Sequence, residues 1–478
     1  MRKSTCGWWI GILVVSMLVT VPASAQFPED ALRFATPGTG VGARSLGMGN
    51  AYTGVANDFS ALYWNPAGLA QMEYGEFSFG LSHLNYRNTS TFFDVQQSYS
   101  NNATSLNSLG LTLPVEVRQG ALVFGFGFQR HSNFTTGLAF EGFNPLSSII
   151  QAYAPDNAPY PADVTVAEYL KLAYADTVTG RFVSPITDSV TQSGQVLEGG
   201  GINYWSLGGA MDVAKDVSVG ITLTYASGSY DYNRSYAEAD SRNVYQTFPF
   251  DFDRLTIDEY VESDLSGFAA KLGLMFRQSD HLRFGIAVTP PTRYNVEENF
   301  GTTAQSSFDN GDIYPVDGPY QTNGSGAYDV ITPWVFSAGA SFVVHDLLLS
   351  ADIEYTDWTQ LEFADAASSL MAMNTTFKTL FRPTANLRGG LEYNLTMIGL
   401  RLRGGFIYNP SAFEGDPSSY DRKYATGGLG FLLGESTMLD LGYAHGWWRT
   451  YRTNYDGPSR VDEDVKTNSF IATFSYRF

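Results

Sequence analysis

The chain has 478 residues, a mean hydropathy of -0.13 and a formal net charge of -19. This acidic balance argues against nucleic acid as a partner, because the phosphate backbone is bound through an excess of lysine and arginine. Aromatic residues make up 15% of the chain, charged residues only 16%, and 48 residues are glycine. Such a composition is typical of a sheet with an apolar outer surface rather than of a soluble α/β enzyme.

The N-terminus carries the pattern of a secretory signal peptide. Arg2 and Lys3 precede an apolar stretch over 8–21, and Ala23-Ser24-Ala25 follows as a small-residue cleavage site. The apolar stretch is shorter than the roughly 20 residues that a membrane-spanning helix needs. We therefore expect residues 1–25 to be removed. The single cysteine, Cys6, leaves with them, so the exported chain has neither a disulfide nor a cysteine metal site.

Residues 26–75 show no strand-like alternation and are rich in small side chains. Asp58 is placed to cap a short helix, and that helix should end before Pro66 because proline disfavours helical backbone at the residue before it. Compact elements of this kind suit the interior of a barrel. The sequence therefore predicts a small N-terminal helical hatch over 26–75.

From residue 76 onward, apolar and polar side chains alternate with a period of two, which predicts β-strands that have one apolar face. Fourteen strands are predicted, at 76–86, 106–117, 119–131, 201–213, 215–228, 263–277, 280–290, 330–344, 346–358, 382–394, 396–409, 422–434, 435–447 and 466–478. Their connections are alternately short and long, as expected for periplasmic turns and external loops. The fold class is therefore an all-β protein. It is a fourteen-stranded antiparallel transmembrane β-barrel over 76–478, in the bacterial outer membrane, with the hatch in its lumen.

Two motifs of the hatch resemble a known family. Leu46-Gly47-Met48-Gly49-Asn50-Ala51 and the later Asn65-Pro66-Ala67 are similar to the hatch of FadL/TodX-type transporters of hydrophobic compounds. The aromatic C-terminus, Phe478, resembles the assembly signal of outer-membrane proteins. The resemblance implies passive uptake of long-chain fatty acids or other hydrophobic small molecules. External loops would capture them, and they would be released laterally where the third strand kinks.

The resemblance also implies partners and gating residues. The expected partners are a hydrophobic ligand, outer-membrane lipid with lipopolysaccharide, and the barrel assembly machinery, for a chain that acts as a monomer. Gating would belong to Gly47, Gly49, Asn65, Pro66 and Ala67. These residues could instead only shape the plug.

The third strand carries the predicted lateral opening. Its parity turns Val123, Gly125 and Gly127 toward the lumen. Glycine within a strand often marks a bulge or a close approach of another segment. A kink in the wall and room for the hatch are both compatible with this pattern.

Candidate ligand-binding residues form two groups. In the long external segment 144–175, apolar residues that include a helically spaced run either pack among loops or hold a ligand; they are Leu146, Ile149, Ile150, Tyr169 and Leu172. Parity also turns Arg388, Arg401 and Arg403 into the lumen, near several acidic residues. These arginines either brace the barrel or hold a fatty-acid carboxylate.

No catalytic residue, metal site or cofactor is expected. The five histidines have no hydroxyl or carboxylate partner in a recognisable catalytic spacing, and no nucleophile-elbow, zinc or phosphate-loop motif occurs. The chain is therefore predicted not to be an enzyme. Three other functions stay open: an outer-membrane shuttle protein of a type IX secretion system, a general porin and, against this expectation, a surface enzyme.

Overall fold

The computed structural model describes residues 28–153, 166–176, 178, 181–246, 251–279, 281–455 and 457–478. The predicted signal peptide lies outside these residues. The described helices are α1 (Pro28–Ala35), α2 (Ala43–Gly47), α3 (Ala61–Trp64), α4 (Ile150–Tyr153), α5 (Val166–Tyr169), α6 (Ser368–Ala372) and α7 (Asn374–Leu380), with 3-10 turns at Pro66–Gln71, Trp358–Gln360 and Thr396–Ile398. Within the described ranges, none of the helices has the length and apolarity needed to cross a membrane.

The described strands run through the rest of the chain. They are β1 (Glu76–Phe92), β2 (Val95–Val115), β3 (Leu122–Arg130), β4 (Thr136–Asn144), β5 (Tyr174–Asp176), β6 (Arg181–Val183), β7 (Val190–Ala214), β8 (Val217–Ala239), β9 (Phe252–Arg277), β10 (Leu282–Thr289), β11 (Arg293–Phe308), β12 (Ile313–Tyr314), β13 (Tyr320–Ile331), β14 (Val335–Val344), β15 (Leu347–Asp357), β16 (Glu362–Ala364), β17 (Pro383–Leu395), β18 (Leu400–Asn409), β19 (Arg422–Leu433), β20 (Thr437–Thr453) and β21 (Arg460–Arg477).

These strands form a closed antiparallel barrel with fourteen wall positions in the described part of the chain, which confirms the predicted fold class. Three wall positions are divided along their length, into β3 and β4, β10 and β11, and β13 and β14. The first and last strands close the wall, with Glu76 opposite Arg477. Because β1 pairs with β21, the wall has no free sheet edge where these two strands meet.

The two faces of the wall follow the predicted parity. On β3, Phe124 and Phe126 are 48% and 54% exposed on the outer surface, whereas Val123 between them is fully buried on the lumen side. Large apolar side chains are exposed on the outer faces of the other wall strands as well, among them Leu207, Leu223, Phe284 and Phe470. This apolar outer surface is the one that faces lipid.

Several predicted external loops are in fact strands. The predicted loop 87–105 is wrong, because β1 continues to Phe92 and β2 begins at Val95, joined through Phe93 and Asp94, which both have positive φ. Two positive φ values at the central residues are the geometry of a tight hairpin turn. Beyond the lipid, both faces of these strands become polar. The alternation that predicted them therefore stops while backbone pairing continues.

Three groups of side chains fill the barrel from the hatch outward. The hatch packs around Tyr52, Phe59, Leu62 and Trp64. Above it lies the upper-lumen cluster, formed by α1, α7 and the facing wall, with Phe34, Phe134, Tyr230 and Phe377 among its members. The external loops form a third group, the cap cluster, around Phe140, Ile150, Leu172 and Phe252.

Candidate functional site

Asn65 joins the hatch to the barrel wall. It is completely buried, and its extended backbone (φ -154°) ends α3 before Pro66, as the sequence predicts. Its Nδ2 donates to the carbonyl of Thr53 in the hatch (2.9 Å) and to that of Leu274 in β9 (3.2 Å). Its Oδ1 accepts from the backbone N–H of Ala67 (3.2 Å), which caps the following 3-10 turn. One side chain therefore organises the Asn65-Pro66-Ala67 motif and attaches it to the wall.

The hatch glycines lie where its backbone touches the wall. Gly49 has φ +62°, and a Cβ there would stand 2.6 Å from the carbonyl oxygen of Gly389 in β17. A Cβ on Gly47 would stand 3.1 Å from the Cα of Gly428 in β19. Backbone conformation and close approach both require glycine at position 49. This arrangement gives the two glycines a packing role, and their predicted part in gating stays a prediction.

An ion-pair network links the hatch to strands β17, β18 and β20. Arg44 of α2 binds Glu392 through Nε and Nη2, both at 2.9 Å. Glu392 also accepts from Arg403 Nε (2.6 Å), and Arg403 Nη1 donates to Asp440 (2.7 Å). The guanidinium of Arg403 is fully buried. Arg403, Glu392 and Asp440 therefore form a network in the lumen that extends into the hatch through Arg44.

The other predicted lumen arginines have different surroundings. Arg388 donates to both carboxylate oxygens of Glu354, at 2.7 and 3.2 Å. Glu354 therefore occupies the guanidinium N–H groups of Arg388 that could hold a ligand carboxylate. Glu392 and Asp440 occupy those of Arg403 in the same way. Arg401 lines a small polar cavity between the hatch and the wall, together with Arg44 and Asp440. That cavity lies at the hatch and not in the upper lumen.

Carboxylates also hold the loop between α2 and α3. Asp352 Oδ2 accepts the backbone N–H groups of Tyr52 and Thr53, at 2.8 and 2.7 Å. Burial raises the pKa of Tyr52 well above its ordinary value, so its hydroxyl stays protonated and donates to Asp58. These bonds tie the loop between α2 and α3 to β15 and to Asp58, which keeps the plug compact.

The predicted loop residues divide into buried and exposed sets. Ile149, Ile150 and Leu172 are buried in the cap cluster, whereas Leu146 and Tyr169 are 62% and 50% exposed. The helically spaced run of this segment forms one short helix in the described residues, α5 (Val166–Tyr169), and residues 154–165 lie outside the described part of the chain. The buried three pack among loops, and the exposed two remain accessible from outside.

Gly125 and Gly127 lie in an unbroken part of the wall. Gly125 pairs with Thr112 of β2 and Gly208 of β7, and the neighbouring pairs of β3 are regular on both sides. A Cβ on Gly127 would stand 2.7 Å from the ring of Phe59 in the hatch. Val123, Gly125 and Gly127 therefore line a closed wall, and the two glycines leave room for the hatch. The discontinuity in the wall comes later in the strand.

That discontinuity, which we call the wall break, spans residues 131–135 between β3 and β4. Among the described strands, β2 pairs with β3 only over Ser108–Val115, and β4 pairs with β7 alone. Beyond the break, β4 lies on the inner face of the β1–β2 hairpin. Asn88 and Ser90 of β1 and Asn101 of β2 bond its backbone carbonyls at 3.1, 2.5 and 2.9 Å.

His131, at the start of the wall break, connects three parts of the molecule. Its carbonyl accepts from the backbone N–H of Gly38, which follows α1 (3.0 Å). Its Nδ1 lies 3.2 Å from the hydroxyl of Tyr63 in the hatch, and its ring stacks on Tyr204 of β7 at 4.2 Å. The end of α1, the hatch and the wall therefore meet at one side chain.

Sequence reasoning missed Arg44 and His131 as contact residues of the hatch. Arg44 is the only charged residue between Gly38 and Tyr52, and a lone cation in a buried plug requires a carboxylate partner. The contact of Arg44 could therefore have been predicted from the sequence. The contacts of His131 could not, because they depend on where the third strand leaves the wall.

The fold and this site define a class of protein, an outer-membrane channel whose own N-terminal segment fills its lumen. The family described as outer membrane protein transport protein (OMPP1/FadL/TodX) matches residues 201–478, more than half of the chain. The chain belongs to this family, and it is an outer-membrane transport protein for hydrophobic compounds rather than an enzyme. No curated protein matches the chain.

Solved structures agree in fold. The toluene transporter TodX of Pseudomonas putida is similar with a TM-score of 0.56 and 13% identity, over 92% of this chain and 99% of that one. A FadL homologue of Pseudomonas aeruginosa gives 0.59 and 13% identity, over 93% and 99%. The monoaromatic hydrocarbon channel CymD gives 0.51 and 16% identity, over 92% and 98%. At these identities the likeness establishes architecture alone.

Proposed function

We propose that this protein takes up hydrophobic molecules passively from outside the cell and releases them sideways into the outer membrane at the wall break. Exposed apolar side chains of the external loops, Leu146 and Tyr169, supply the first contact. The hatch blocks straight passage to the periplasm. The single observation that carries the proposal concerns the pairing of β2. It pairs with β3 only as far as Ser108, and from there toward the external end of the barrel it is not paired with β4.

The height of the wall break supports lateral release. The last β2–β3 pair joins Ser108 to Gln129, and at the same level the β1–β2 register shifts between Gly80 and Leu81. Leu81 is 45% exposed on the outer face, and the next outward residue is His83. The outer surface therefore turns from apolar to polar at this level. A molecule that leaves here reaches the outer edge of the lipid without crossing the hatch.

The same region is held by side chains rather than by a continuous ladder. Three bonds from Asn88, Ser90 and Asn101 replace the regular strand pairing that would otherwise close the wall. Side-chain bonds of this kind contribute about 1 kcal/mol each. A segment held by a few such bonds separates from its neighbour more easily than a paired strand.

A reversible staple tests this function. An ideal Cβ on Gly137 of β4 would stand 3.6 Å from the Cβ of Asn101 in β2, within the range for a disulfide. The ring of Tyr99 must move aside, and it is only partly buried. We therefore design the double variant Asn101→Cys with Gly137→Cys, which fixes β4 to β2 when oxidised.

Uptake of labelled decane, toluene and a long-chain fatty acid into proteoliposomes is then measured before and after reduction. We expect oxidation to slow uptake several-fold and reduction to restore it in the same sample. Each single-cysteine variant is the matched control and should not respond. Equal uptake by the oxidised and reduced forms would favour axial passage past the hatch.

A further inference from the structure

The outer face of the barrel carries three successive rows of side chains across the seam between β21 and β1. Each row follows the register of the strands, so its members lie directly opposite one another. The first row ends the apolar surface and contains Tyr443 and Phe470, both exposed. Aromatic side chains of this kind mark the boundary between lipid and water. The rows beyond this aromatic row therefore lie among the head groups of the outer leaflet.

The second row, which we call the amide row, is a ladder of neutral polar side chains on four neighbouring strands. Its members are His445, Asn468, Asn85 and Asn102. His445 Nδ1 lies 2.9 Å from Asn468 Oδ1, which also accepts from the hydroxyl of Tyr443 at 2.8 Å. Asn468 Nδ2 donates to Asn85 (3.3 Å), and Asn85 Nδ2 donates to Asn102 (2.7 Å). Each side chain of the amide row is thus held by the next.

The third row holds Trp447 and three cations, which we call the basic row. The cations are Lys423 of β19, Lys466 of β21 and Arg87 of β1. Lys466 and Arg87 are exposed and stand directly opposite each other, and neither forms an ion pair within the described residues. Like charges in directly opposed positions destabilise a sheet. An anion bound between them would remove that repulsion.

The acids further out on β21 do not neutralise the basic row. Asp464 lies two residues from Lys466 on the same face, and it accepts from Arg449 Nε at 2.8 Å. Asp462, the next residue on that face, pairs with Arg460. Each of these acids therefore has a cation of its own. The basic row keeps an excess of positive charge although the net charge of the chain is -19.

The outer faces of β8, β9 and β11 carry the reverse charge at the corresponding height. There Tyr225 and Phe268 form the aromatic row, and the next row consists of serine and asparagine. The row beyond it places Asp264 directly opposite Glu297, and both are exposed. This acidic face would repel a phosphate. The basic row is therefore a local feature of the seam and not a property of the whole rim.

We propose that the basic row binds a phosphate group of lipopolysaccharide from the outer leaflet. Lys466 and Arg87 hold the phosphate by charge-assisted hydrogen bonds. The three rows repeat the order of groups in the lipid A part of that molecule, which is acyl chain, amide-linked sugar and phosphate. A free phosphate would use only the cations, and a phospholipid has no amide-linked sugar to place beside the amide row. This site goes beyond the uptake function and does not depend on it.

The test measures binding of diphosphoryl lipid A to the full protein in detergent by native mass spectrometry. Lys466→Gln with Arg87→Gln should weaken binding about tenfold or more, because each cation near a charged lipid surface contributes to the attraction. Lys466→Arg with Arg87→Lys keeps the charge and should keep the affinity. Arg118→Gln with Lys215→Gln removes the same charge from two exposed periplasmic turns and is the matched control. Heat-modified gel migration confirms that each variant is assembled.

Salt and free phosphate test the wild-type protein in the same assay. Binding should fall at about 1 M salt, where the Debye length is about 3 Å, and inorganic phosphate at the concentration of lipid A should not compete. Unchanged binding by the glutamine variant, equal loss in the periplasmic control, or binding that resists salt would overturn the proposal. Competition by inorganic phosphate would reduce the basic row to a simple phosphate site. If the glutamine variant loses only self-association, the basic row instead contacts the acidic face of a second copy.

Discussion

Arg44 of the hatch and Glu392 of the wall are joined by two charge-assisted hydrogen bonds of 2.9 Å, although 348 residues separate them in the chain. Arg403 binds the same carboxylate, so Glu392 pairs with two cations, and Asp440 supplies the second negative charge. The plug is therefore held to β17 by an ion pair between two segments that lie far apart in the sequence.

Replacing Glu392 should loosen the hatch. Glu392→Ala leaves Arg44 without its acid and Arg403 with Asp440 alone, and breaking a buried pair costs about 3 to 5 kcal/mol. We expect the folded form to convert to the unfolded form on a gel at a lower temperature. We also expect a larger ion conductance in planar bilayers. Arg449→Ala, which removes an exposed pair with Asp464, is the control and should cost less than about 1 kcal/mol. Equal effects of the two changes would contradict the assigned role of Glu392.

Asn65→Ala should affect the hatch more than Pro66→Ala does. The alanine at position 65 removes three hydrogen bonds and leaves the carbonyls of Thr53 and Leu274 without that donor, at a cost of roughly 2 to 3 kcal/mol. Pro66→Ala relaxes only the backbone restriction on Asn65. Leakage of a small polar solute from proteoliposomes measures both variants. If Pro66→Ala leaks more than Asn65→Ala, the proline and not the hydrogen bonds of Asn65 stabilises the hatch.

Gly127→Val should damage the packing of the hatch rather than obstruct an exit. A Cβ there would stand 2.2 Å from the carbonyl oxygen of Leu109 and 2.7 Å from Phe59, and overpacking of this kind costs about 1 to 3 kcal/mol. Gly404→Val in β18 is the control, because no atom lies within 4 Å of a Cβ at that site. The temperature at which the folded form is lost on a gel and the yield in the outer membrane should both fall for Gly127→Val and not for Gly404→Val. If the Gly127→Val protein is stable but fails in uptake, the lateral exit lies at this part of β3 and not at the wall break.

Deletion of Phe478 should lower the yield of assembled protein. Its backbone exchanges two hydrogen bonds with Gly75, of 3.0 and 3.1 Å, and its ring is 57% exposed. The exposed ring makes little contribution to packing, so we expect Phe478→Tyr to assemble normally. Fractionation of outer membranes distinguishes the two variants. Normal yield without residue 478 would show that the terminal aromatic is dispensable.

The wall was predictable because lipid imposes a simple pattern on it. Phe124 and Phe126 face lipid and Val123 faces the lumen, as alternation requires. The same rule failed for the external half of β1. There His83 and Asn85 point outward while Asn88 and Ser90 point inward, so neither face is apolar and the pattern carries no signal.

The site was less predictable than the fold. The glycines of β3 drew attention to the third strand, which does contain the wall break, but glycine there reflects close packing against the hatch, with Leu62 near Gly125 and Phe59 near Gly127. The break begins at His131, in the run His131-Ser132-Asn133-Phe134-Thr135, which contains neither glycine nor proline. Its cause is the set of contacts with β1, β2 and Gly38. Those are long-range contacts that no local motif encodes.

The contact between Gly75 and Phe478 also sets an order of events during biogenesis. The hatch ends immediately before the seam at which β1 meets β21. It contacts earlier strands such as β9 and β15, and it also contacts β17, β18, β19 and β20, which are among the last strands to be synthesised. The hatch must therefore be inside before the seam closes, because a shut barrel offers no entry for a folded plug. We therefore expect membrane insertion and filling of the lumen to occur together for this chain.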